Sequence, residues 1–538
     1  MMLFNFGNIL ETLEATVDAD ADALICGDHR ISWEQLGVRS NNLARAMLQQ
    51  GASPGDKVGF YMRNCNEYME LLAACFKARL THVNVNYRYL ADELWYILDN
   101  SDATVVVYSS EFRDRLDEIR RKLPNVKLWL EVGDADVPDF ASSYENAASS
   151  GDGGALSTPE IGERSPSDLL FLYTGGTTGY PKAVMWEHNA IFNASGRTLE
   201  HAKANSLAEY AEIVRRNQPG IRQLPACPMM HGTGLFTAMN TMLTGGCVVS
   251  IPSARFDAEQ LWDTVERQRV NALAIVGDAF AQPMVKALDE HPNRWNLDSL
   301  VSITSSGVMW SPEVKKNLLR HHEQLVLIDT FGSSEALGFG GSVTNNKGVS
   351  GSAEFKIGER AKVFDEQFNE VQPGSDTVGF IATGGHLPVG YYKDPEKTKR
   401  TFLVINGVRY SMPGDYCRVG ADGTIILLGR GSACINSAGE KIYSEEVEEA
   451  LKRHPEIADA LVFGIPDEKW GQSVTAVVKS LSNRFDEDKI KAFMRAQLAA
   501  YKVPKRILNT QDMGRAVNGK ADYDFVRAYA LQELGLAS

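Results

Sequence analysis

The stretch Tyr173-Thr-Gly-Gly-Thr-Thr-Gly-Tyr-Pro-Lys182 holds three glycines and three threonines, and it follows the apolar run Leu169-Leu-Phe-Leu172. An apolar run that leads into a Gly/Thr-rich turn is typical of a buried strand followed by a loop. Glycines let successive backbone N–H groups point into one concavity, and threonine hydroxyls add donors, which suits a polyphosphate. A second apolar run, Ala183-Val-Met-Trp186, predicts the returning strand. We therefore predict a phosphate-binding loop on a β-hairpin.

Two common nucleotide-binding patterns do not fit this chain. A Walker A loop needs Gly-Lys-Ser/Thr at its end and a helix directly after it, whereas Tyr180 and Pro181 separate the last glycine from Lys182. No early strand is followed by Gly-x-Gly-x-x-Gly with an acidic residue beyond, which argues against a dinucleotide oxidoreductase. Taken alone, the loop is also compatible with a plain Gly/Thr hairpin turn.

Composition places the chain among ordinary globular proteins of more than one domain. It has 538 residues, of which 44% are hydrophobic and 23% are charged. The net charge of −14 argues against nucleic acid or an anionic membrane as the main partner. Any anionic ligand must therefore be held by local positive groups.

The sequence predicts a cytoplasmic protein with reduced thiols. The first ten residues have no basic region, so we expect no signal peptide. No apolar run approaches the roughly 20 residues that span a bilayer, so we expect no integral membrane segment. The seven cysteines are scattered without a Cys-x-x-Cys pair, which favours core thiols over a zinc site or a disulfide framework.

Alternating helical and β-rich patterns predict an α/β fold between about residues 30 and 440. Helices are expected at residues 40–50 and 67–79, and strands at residues 57–61, 83–85, 104–108, 248–251 and 273–276. This βαβ rhythm predicts layered architecture with largely parallel sheets.

The pattern changes after Arg430 to a compact α+β unit. Helices are expected at residues 444–453 and 487–499, and strands at residues 458–464 and 475–480. Gly431-Ser432 is the natural hinge, because it is small and flanked by structured pieces. We predict a large N-terminal α/β domain, residues 1–430, and a small mobile C-terminal α+β domain, residues 431–538.

Further stretches combine with the Gly/Thr loop, namely Phe331-Gly-Ser-Ser-Glu335, Gly414-Asp415, Leu428-Gly-Arg430, Gly439-Glu-Lys441 and Asn518-Gly-Lys520. In order and spacing they resemble the adenylate-forming superfamily of acyl-CoA synthetases, luciferases and peptide-synthetase adenylation domains. The resemblance extends from about Ala21 to Asp524. Within the superfamily, the sequence is most similar to the acyl-CoA synthetases of steroid side chains and other bulky, branched acids. That likeness is carried by residues 173–179, 406–415 and 435–441.

The resemblance implies an AMP-forming carboxylic acid–CoA ligase that uses ATP, Mg²⁺ and coenzyme A and makes an acyl-adenylate, then an acyl-CoA. The implied substrate is a steroid side-chain acid or an α-methyl-branched aryl or terpenoid acid, and the implied setting is lipid metabolism and steroid degradation. A medium- or long-chain fatty acyl-CoA synthetase is the nearest alternative. A homodimer stays open.

By resemblance, the nucleotide site would lie mainly in the large domain. The β- and γ-phosphates would be held by Thr174, Gly175, Gly176, Thr177, Thr178 and Gly179. Lys182 would add charge near the pyrophosphate, unless it is a solvated surface lysine. The segment Phe331, Gly332, Ser333, Ser334 and Glu335 would supply an adenine face where relatives have tyrosine, contacts near the α-phosphate, and a Mg²⁺ ligand at Glu335.

The remaining nucleotide and thiol contacts would lie near the hinge and the C-terminus. Asp415 would accept hydrogen bonds from the ribose hydroxyls, and Arg430 would contact ribose or phosphate, unless it forms an exposed salt bridge. Lys520 would neutralise the α-phosphate and the substrate carboxylate, although Arg515-Ala-Val-Asn departs from the family's Pro-Arg-Thr-x-Ser. Gly439 and Lys441 would line the path of the CoA thiol after the small domain rotates.

The residues that would line the acid pocket are the hardest to identify from the sequence. His231 matches a family position near the acyl group, where a polarising or gating role and a satisfied core histidine stay equally open. Gly277, Ser305 and Gly307 are expected to line the acyl or adenine walls. Residues 198–220 read as helical and would form a lid or pocket wall.

Three other functions fit the sequence less well. A carrier-loading adenylation domain normally carries an aspartate for the substrate amine, and none is evident in residues 228–236. A luciferase-like oxygenase is a more distant alternative. A non-catalytic binding protein would be expected to lose Glu335, Asp415 or Lys520, and all three are present.

Overall fold

The computed structural model describes residues 3–133, 136–174, 181–195, 200–308, 310–348, 350–351, 353–430, 434–437, 440–467, 471–481, 485–498, 500–515 and 521–536. The helices of these residues are α1 Phe6–Glu14, α2 Trp33–Gln49, α3 Asn66–Ala78, α4 Ala91–Asn100, α5 Arg113–Ile119, α6 Tyr144–Ser149, α7 Thr158–Ile161, α8 His188–Ser195, α9 Leu207–Arg216, α10 Gly232–Leu243, α11 Ala258–Gln268, α12 Asp278–Glu290, α13 Pro312–His321, α14 Pro395–Thr401, α15 Ser444–Lys452, α16 Glu487–Arg495 and α17 Tyr523–Glu533.

The strands are β1 Asp22–Cys26, β2 His29–Ser32, β3 Lys57–Tyr61, β4 Thr81–Asn84, β5 Ala103–Ser109, β6 Leu128–Val132, β7 Ser142–Ser143, β8 Leu169–Thr174, β9 Lys182–Glu187, β10 Arg222–Pro225, β11 Cys247–Ser250, β12 Ala272–Ile275, β13 Ser302–Ser306, β14 Val326–Ser333, β15 Ala336–Thr344, β16 Glu354–Ile357, β17 Ala361–Phe364, β18 Gly379–Gly384, β19 Gly390–Tyr391, β20 Phe402–Ile405, β21 Val408–Ser411, β22 Asp415–Val419, β23 Thr424–Arg430, β24 Cys434–Ser437, β25 Glu440–Tyr443, β26 Ile457–Asp467, β27 Gly471–Ser480 and β28 Arg506–Asn509.

Three sheets organise these strands. The 15-stranded sheet has the order β2-β1-β11-β10-β12-β13-β14-β15-β16-β23-β22-β18-β21-β20, with β17 beside β18. The eight-stranded sheet has the order β19-β9-β8-β4-β3-β5-β6-β7. The five-stranded sheet, β25-β24-β27-β26 with β28 beside β27, is built only from the C-terminal part of the chain. The α/β class expected from the sequence is confirmed.

The expectation of largely parallel sheets holds for only part of the large sheet. Its strands from β1 to β14 pair mostly in parallel, whereas β14 to β15, β15 to β16 and β16 to β23 pair antiparallel. The reason is the short connection between β14 and β15. Because this turn is too short to hold a crossover helix, the chain reverses and the two strands pair antiparallel.

The predicted hairpin is present as two paired strands. β8 and β9 are antiparallel from Leu169 opposite Glu187 to Thr174 opposite Lys182. Residues 175–180 lie outside the described residues. β8 also pairs in parallel with β4, so the hairpin is part of the eight-stranded sheet.

Residues 198–220 are less helical than the sequence predicts. A short 3₁₀ helix at Glu200–Lys203 and the separate helix α9 are present, and residues 198–199 lie outside the described residues. Ser206 interrupts the pattern, because its side chain accepts the N–H of Glu209 and begins α9 as an N-cap. The helix ends before Gly220 because Gln218-Pro219 follows it.

The five-stranded sheet has apolar residues on both faces of β26. Ala460 and Val462 pack with helices α15 and α16, and Leu461, Phe463 and Ile465 pack with α17. This alternation follows from the two-residue period of a strand. Both faces of β26, which lies at one edge of the sheet beside β27, are therefore covered by helices of the same C-terminal unit.

Gly429, near the end of β23, lies beside Glu445 of α15. Its φ is +114°, and a Cβ atom at this position would overlap Oε2 of Glu445. The predicted hinge, Gly431-Ser432, follows at once and lies outside the described residues. The boundary between residues 430 and 431 stays a prediction.

The described cysteines agree with the expected thiols, because Cys26, Cys65, Cys75, Cys227, Cys247 and Cys417 are free. Burial raises the pKa of each of these thiols. Among the helices of the described residues, none combines the length and the apolarity that a membrane crossing requires.

Candidate active site

The base of the hairpin brings Thr174 and Lys182 opposite each other. The Nζ of Lys182 lies 3.6 Å from Oδ2 of Asp394, and 31% of the lysine side chain is exposed. A carboxylate at this distance offsets part of the lysine charge. Gly175, Gly176, Thr177, Thr178 and Gly179 lie outside the described residues.

Glu335 lies in the tight turn between β14 and β15 and is fixed from two sides. The hydroxyl of Tyr391 donates to Oε1 of Glu335 at 2.7 Å, and Nε1 of Trp186 donates to the backbone oxygen of Ser334 at 2.9 Å. Trp186 lies on β9, and Tyr391 lies on β19, the strand that pairs with β9. Glu335 is 7% exposed. The hairpin strand and its neighbour therefore hold this carboxylate in place.

Tyr391 and Trp186 are functional candidates that sequence reasoning missed. Trp186 belongs to an apolar run that predicts only a strand, and Tyr391 carries no motif. Their partners lie 56 and 148 positions away in the chain. No local pattern records a contact over that separation.

The Phe331 segment has an aromatic side. Phe331 is 8% exposed, and its ring centroid lies 5.2 Å from those of Phe339 and Phe355. Ser333 Oγ accepts the N–H of Glu335 at 3.2 Å, which tightens the turn. A Cβ atom at Gly332 would lie 3.0 Å from the oxygen of Ala336, so a side chain there would crowd the turn.

Three strand ends meet at Ser305. The N–H of Gly277 donates to Ser305 Oγ at 2.9 Å, and Thr330 Oγ1 donates to the oxygen of Ser305 at 3.1 Å. Gly277 has φ +55° and Gly307 has φ +86°, conformations that favour glycine. Ser305 thus contacts Gly277 on one side and Thr330, the residue that precedes Phe331, on the other.

Two asparagines hold the loop that leads to His231. Asn84 Nδ2 donates to the oxygens of Tyr173 and Met230, at 3.0 and 2.8 Å, and its Oδ1 accepts the N–H of Tyr173 at 2.6 Å. Asn64 accepts the N–H of Met229 at 2.7 Å. His231 is the N-cap residue of α10, and its side chain makes no capping bond. Asn84 therefore ties this loop to the hairpin, and Asn64 holds the loop from the other side; neither residue carries a motif that the sequence predicts.

A buried ion pair lies two residues before Phe331. Lys315 Nζ is 3.3 Å from Oδ2 of Asp329, and neither side chain is more than 6% exposed. Burial raises the pKa of Asp329 to about 6, although Lys315 acts in the opposite direction, and the nearby Asp278 raises it further. Burial also raises the pKa of Asp278, whose Oδ1 accepts the N–H of Ser311 at 3.0 Å.

Asp415 and Arg430 are neighbours across β22 and β23, where they occupy opposite register positions. Asp415 is 6% exposed and follows Gly414, whose φ is +101°. The structure describes only the backbone of Arg430 and Lys441. Lys520 and Gly439 lie outside the described residues, so their roles stay predictions.

A divalent cation has a suitable oxygen donor in Glu335, which is oriented by one hydrogen bond and keeps a second carboxylate oxygen. Mg²⁺ is commonly held by one or two carboxylates together with substrate phosphates. Among the residues that the structure describes, no group of three or more His, Cys, Asp and Glu side chains could hold a metal ion by itself. The donor set fits a cation that shares its coordination with phosphate.

Comparison with known proteins gives matches over most of the chain. Residues 13–392 match the family model described as AMP-binding enzyme, and residues 446–520 match that of the AMP-binding enzyme C-terminal domain. A medium/long-chain-fatty-acid–CoA/3-oxocholest-4-en-26-oate–CoA ligase of Mycobacterium marinum is 40% identical over 97% of this chain and 96% of its own. A 3-oxocholest-4-en-26-oate–CoA ligase of Rhodococcus rhodochrous is 38% identical over 97% of this chain and 95% of its own.

Solved structures share the fold. The anthranilate CoA ligase AuaEII in complex with anthranoyl-AMP has a TM-score of 0.84 at 20% identity and covers 100% of this chain and 99% of its own. ATP-bound MatB from Rhodopseudomonas palustris has a TM-score of 0.81 at 22% identity, covering 99% of this chain and 100% of its own. The chain belongs to the AMP-binding enzymes, the adenylate-forming family that its motifs predicted.

Proposed function

We propose that this chain is an ATP-dependent carboxylic acid–CoA ligase that releases pyrophosphate and AMP. The observation that carries the proposal is the fixed position of Glu335, at the turn that Trp186 and Tyr391 join to the Gly/Thr hairpin. In this arrangement, the residue expected to bind the cation is joined to the strands that flank the expected phosphate loop. Relatives named as CoA ligases, at 38–40% identity over nearly the whole chain, support the same activity.

The chemistry explains why such a site needs both phosphate contacts and a thiol path. A carboxylate does not react with a thiol, because the leaving group would be oxide. When a carboxylate oxygen attacks the α-phosphorus of ATP, the bond to pyrophosphate breaks and a mixed anhydride with AMP forms. The thiol of CoA, after losing its proton, then attacks the acyl carbon and AMP leaves. Positioning and charge stabilisation supply most of the catalysis in phosphoryl transfer.

The residues would divide this work between the two parts of the chain. Thr174 and residues 175–179 would hold the β- and γ-phosphates, with Lys182 beside the leaving pyrophosphate. Phe331 would present a face to adenine and Asp415 would accept the ribose hydroxyls, with Arg430 beside it. Lys520 would contact the α-phosphate and the acid. Gly439 and Lys441 would border the thiol path after the small domain, residues 431–538, has rotated.

Mg²⁺, when bound, would neutralise phosphate charge, and Glu335 would hold it. Tyr391 would keep one oxygen of Glu335 occupied and so orient the other. Gly332, Ser333 and Ser334 would contribute the turn that brings this carboxylate to the phosphates.

The proposed substrate is a bulky acid of the steroid side-chain type. This proposal is supported by the two relatives, which are ligases of 3-oxocholest-4-en-26-oate. Medium- and long-chain fatty acids are the alternative, because the name of the M. marinum relative also includes them. His231, Gly277, Ser305 and Gly307 would line the acid's path. We also propose a cytoplasmic location, which the free cysteines favour.

A half-reaction assay tests the function. Purified protein with Mg·ATP and a panel of steroid side-chain, aryl-propanoic and fatty acids should release pyrophosphate, and added CoA should yield free acyl-CoA. Free acyl-CoA as product would also separate this activity from loading of a carrier protein. Absence of pyrophosphate release with every acid contradicts the proposal.

A single substitution tests the role of Lys520. We expect Lys520→Ala to lower the rate of adenylation by at least about a hundredfold, because it removes charge at the α-phosphate. Thioester formation from supplied acyl-adenylate should stay near the wild-type rate. Equal loss of both half-reactions would contradict this role.

A further inference from the structure

Asn84, the last residue of β4, joins β8 to the loop that leads to His231. Its side-chain amide meets β8 as a backbone group would, because Oδ1 accepts the N–H of Tyr173 at 2.6 Å and Nδ2 donates to the oxygen of Tyr173 at 3.0 Å. The same Nδ2 donates to the oxygen of Met230 at 2.8 Å. One amide group therefore bonds both the strand that enters the Gly/Thr loop and the residue before His231.

The partners of Asn84 fix the orientation of its amide. The residue is 5% exposed. The two carbonyl oxygens can only accept hydrogen bonds and the N–H of Tyr173 can only donate one, so the amide nitrogen must face the carbonyls. Both N–H donors of the amide are then used. Removal of this side chain would leave two buried carbonyl oxygens and one N–H without the partner they have here.

Asn64 holds the same loop at further points. Its Oδ1 accepts the N–H of Met229 at 2.7 Å, and its Nδ2 donates to the oxygens of Pro225 and Cys227 at 3.2 and 3.0 Å. Pro225 ends β10, so Asn64 holds the chain from the end of that strand to Met229. A Cβ atom at Gly234 would lie 2.5 Å from a backbone oxygen of the loop, so the close approach of α10 to the loop requires glycine.

Tyr68 of α3 adds a shared contact to this loop. Its hydroxyl lies 3.2 Å from the oxygen of Met229 and 2.9 Å from Nε2 of His82. Nδ1 of His82 lies 3.1 Å from the oxygen of Phe171, which can only accept, so Nδ1 carries the proton. Burial lowers the pKa of His82 to about 3, so the ring is neutral and Nε2 accepts. The single hydroxyl proton of Tyr68 is thus shared, and the loop depends mainly on the two asparagines.

From these contacts we infer that Asn84 and Asn64 are positioning residues for the acid substrate, which hold the loop at residues 225–231 in place and with it the wall of the acid's path at His231. The inference rests on the proposed function, because it takes His231 as part of that wall. Neither asparagine needs to touch the acid. Loss of Asn84 should displace the loop and leave β8 paired with β9 from Leu169 to Thr174, so the acid should be affected more than ATP.

Alanine substitutions in the full-length chain test this inference. We expect Asn84→Ala to raise the KM for a bulky acid about tenfold in the pyrophosphate-release assay, because a wall displaced by about 1 Å is enough for an effect of this size. The KM for ATP should stay near the wild-type value. Asn64→Ala should act in the same direction by a smaller factor, because its site is partly exposed and water can replace some of the lost bonds. The double variant should raise the KM by less than the product of the single effects, because both residues hold one loop.

Asn42 of α2 provides a matched control. It is 2% exposed, its Nδ2 donates to the oxygen of Ala148 at 2.9 Å, and its Oδ1 accepts the N–H of Gly153 at 3.0 Å. Asn42→Ala therefore also removes a buried amide that bonds backbone groups, none of which belongs to residues 225–231. We expect it to lower the melting temperature, as Asn84→Ala should, and to leave the KM for the acid unchanged.

The outcomes separate positioning from a general loss of stability. An unchanged acid KM in the alanine variants of Asn64 and Asn84 would overturn the inference, and so would an ATP KM that rises as much as the acid KM. The same rise of the acid KM in Asn42→Ala would also overturn it. If Asn84→Ala does not fold, Asn64→Ala decides the question. A wild-type chain that releases no pyrophosphate with any acid would instead contradict the proposed function itself.

Discussion

Asp329 of the large sheet and Asp459 of the five-stranded sheet are both carboxylates beside a cation, and their pKa values move in opposite directions. Burial acts on both and favours the protonated form. The pKa of Asp329 rises to about 6. At Asp459 the effect of burial is exceeded by hydrogen bonds and charge from Arg515, and the pKa is lowered.

The difference follows from the number of donors and not from burial alone. Lys315 gives Asp329 one contact at 3.3 Å, and Asp278 nearby adds a like charge. Asp459 receives two contacts from Arg515, one backbone N–H from Ala460 and a further positive charge from Lys452. The guanidinium of Arg515, together with these further contacts, therefore lowers the pKa of Asp459, whereas the single contact from Lys315 leaves the pKa of Asp329 raised.

Removal of the Arg515 guanidinium should give the largest effect on stability. We expect Arg515→Met to lower the free energy of unfolding of the C-terminal unit by about 2–3 kcal/mol, because the carboxylate of Asp459 is left largely buried without its partner. Hydrogen exchange of the amides of β26 and β27 measures this loss. The control is Lys491→Met, which removes the pair between Lys491 Nζ and Oε1 of Glu487, 2.7 Å apart in the same unit. A decrease below about 0.5 kcal/mol for Arg515→Met would show that the pair of Arg515 and Asp459 contributes little.

The ion pair of Lys315 and Asp329 predicts that the free energy of unfolding depends on pH. Because the pKa of Asp329 in the folded chain is about 6 and its ordinary value is 3.8, the folded chain binds a proton more tightly than the unfolded chain does. The free energy of unfolding should therefore fall as the pH rises from about 4 to about 6, by an amount on the order of 2 kcal/mol, and then level off.

The matching variant is Asp329→Asn, and its free energy of unfolding is measured by urea denaturation at several pH values between 4 and 7. Because the variant has no carboxyl group at position 329 to titrate, its stability should fall less steeply than that of the wild type over this interval. Its absolute stability is not the readout, since Lys315 loses its carboxylate at every pH. Asp298→Asn, at an exposed position, should keep the wild-type slope. Identical slopes for Asp329→Asn and wild type would contradict the raised pKa.

Loss of the hydrogen bond from Tyr391 to Glu335 should give the smallest effect, because the donor is a single neutral hydroxyl. Tyr391→Phe removes the hydroxyl that donates to Glu335 at 2.7 Å. One such bond contributes about 1 kcal/mol, so we expect the Mg²⁺ concentration for half-maximal pyrophosphate release to rise about fivefold. Tyr392→Phe is the control, because its hydroxyl donates to a different carboxylate, Asp102, at 2.6 Å. A Mg²⁺ requirement that stays at the wild-type value in Tyr391→Phe would show that Glu335 does not depend on this bond.

The sequence predicted those parts of the fold that local patterns control. The strand at residues 57–61 coincides with β3, and the two strands around the Gly/Thr loop coincide with β8 and β9 to within two residues at each end. The helix expected at residues 40–50 is part of the longer α2. The helix begins earlier, at Trp33, because Ser32 and Gln35 form a capping box that lies outside the predicted range.

Contacts between distant segments could not be predicted from one sequence. The positions of Glu335 and of the loop before His231 depend on Tyr391, Trp186 and Asn84, whose partners are between 56 and 148 positions away. The motifs identified which residues to expect at the site. The side chains that orient them have ordinary aromatic or amide character and carry no local signal.

Gly429 has a consequence for anyone who exchanges C-terminal units between members of this family. Its φ of +114° is a backbone conformation that residues with a side chain rarely adopt, and a Cβ atom there would overlap the carboxylate of Glu445, which would have to rotate away. A hybrid enzyme spliced at this junction should therefore retain glycine at position 429. Otherwise backbone strain at the junction would add to any difference in chemistry between the exchanged units.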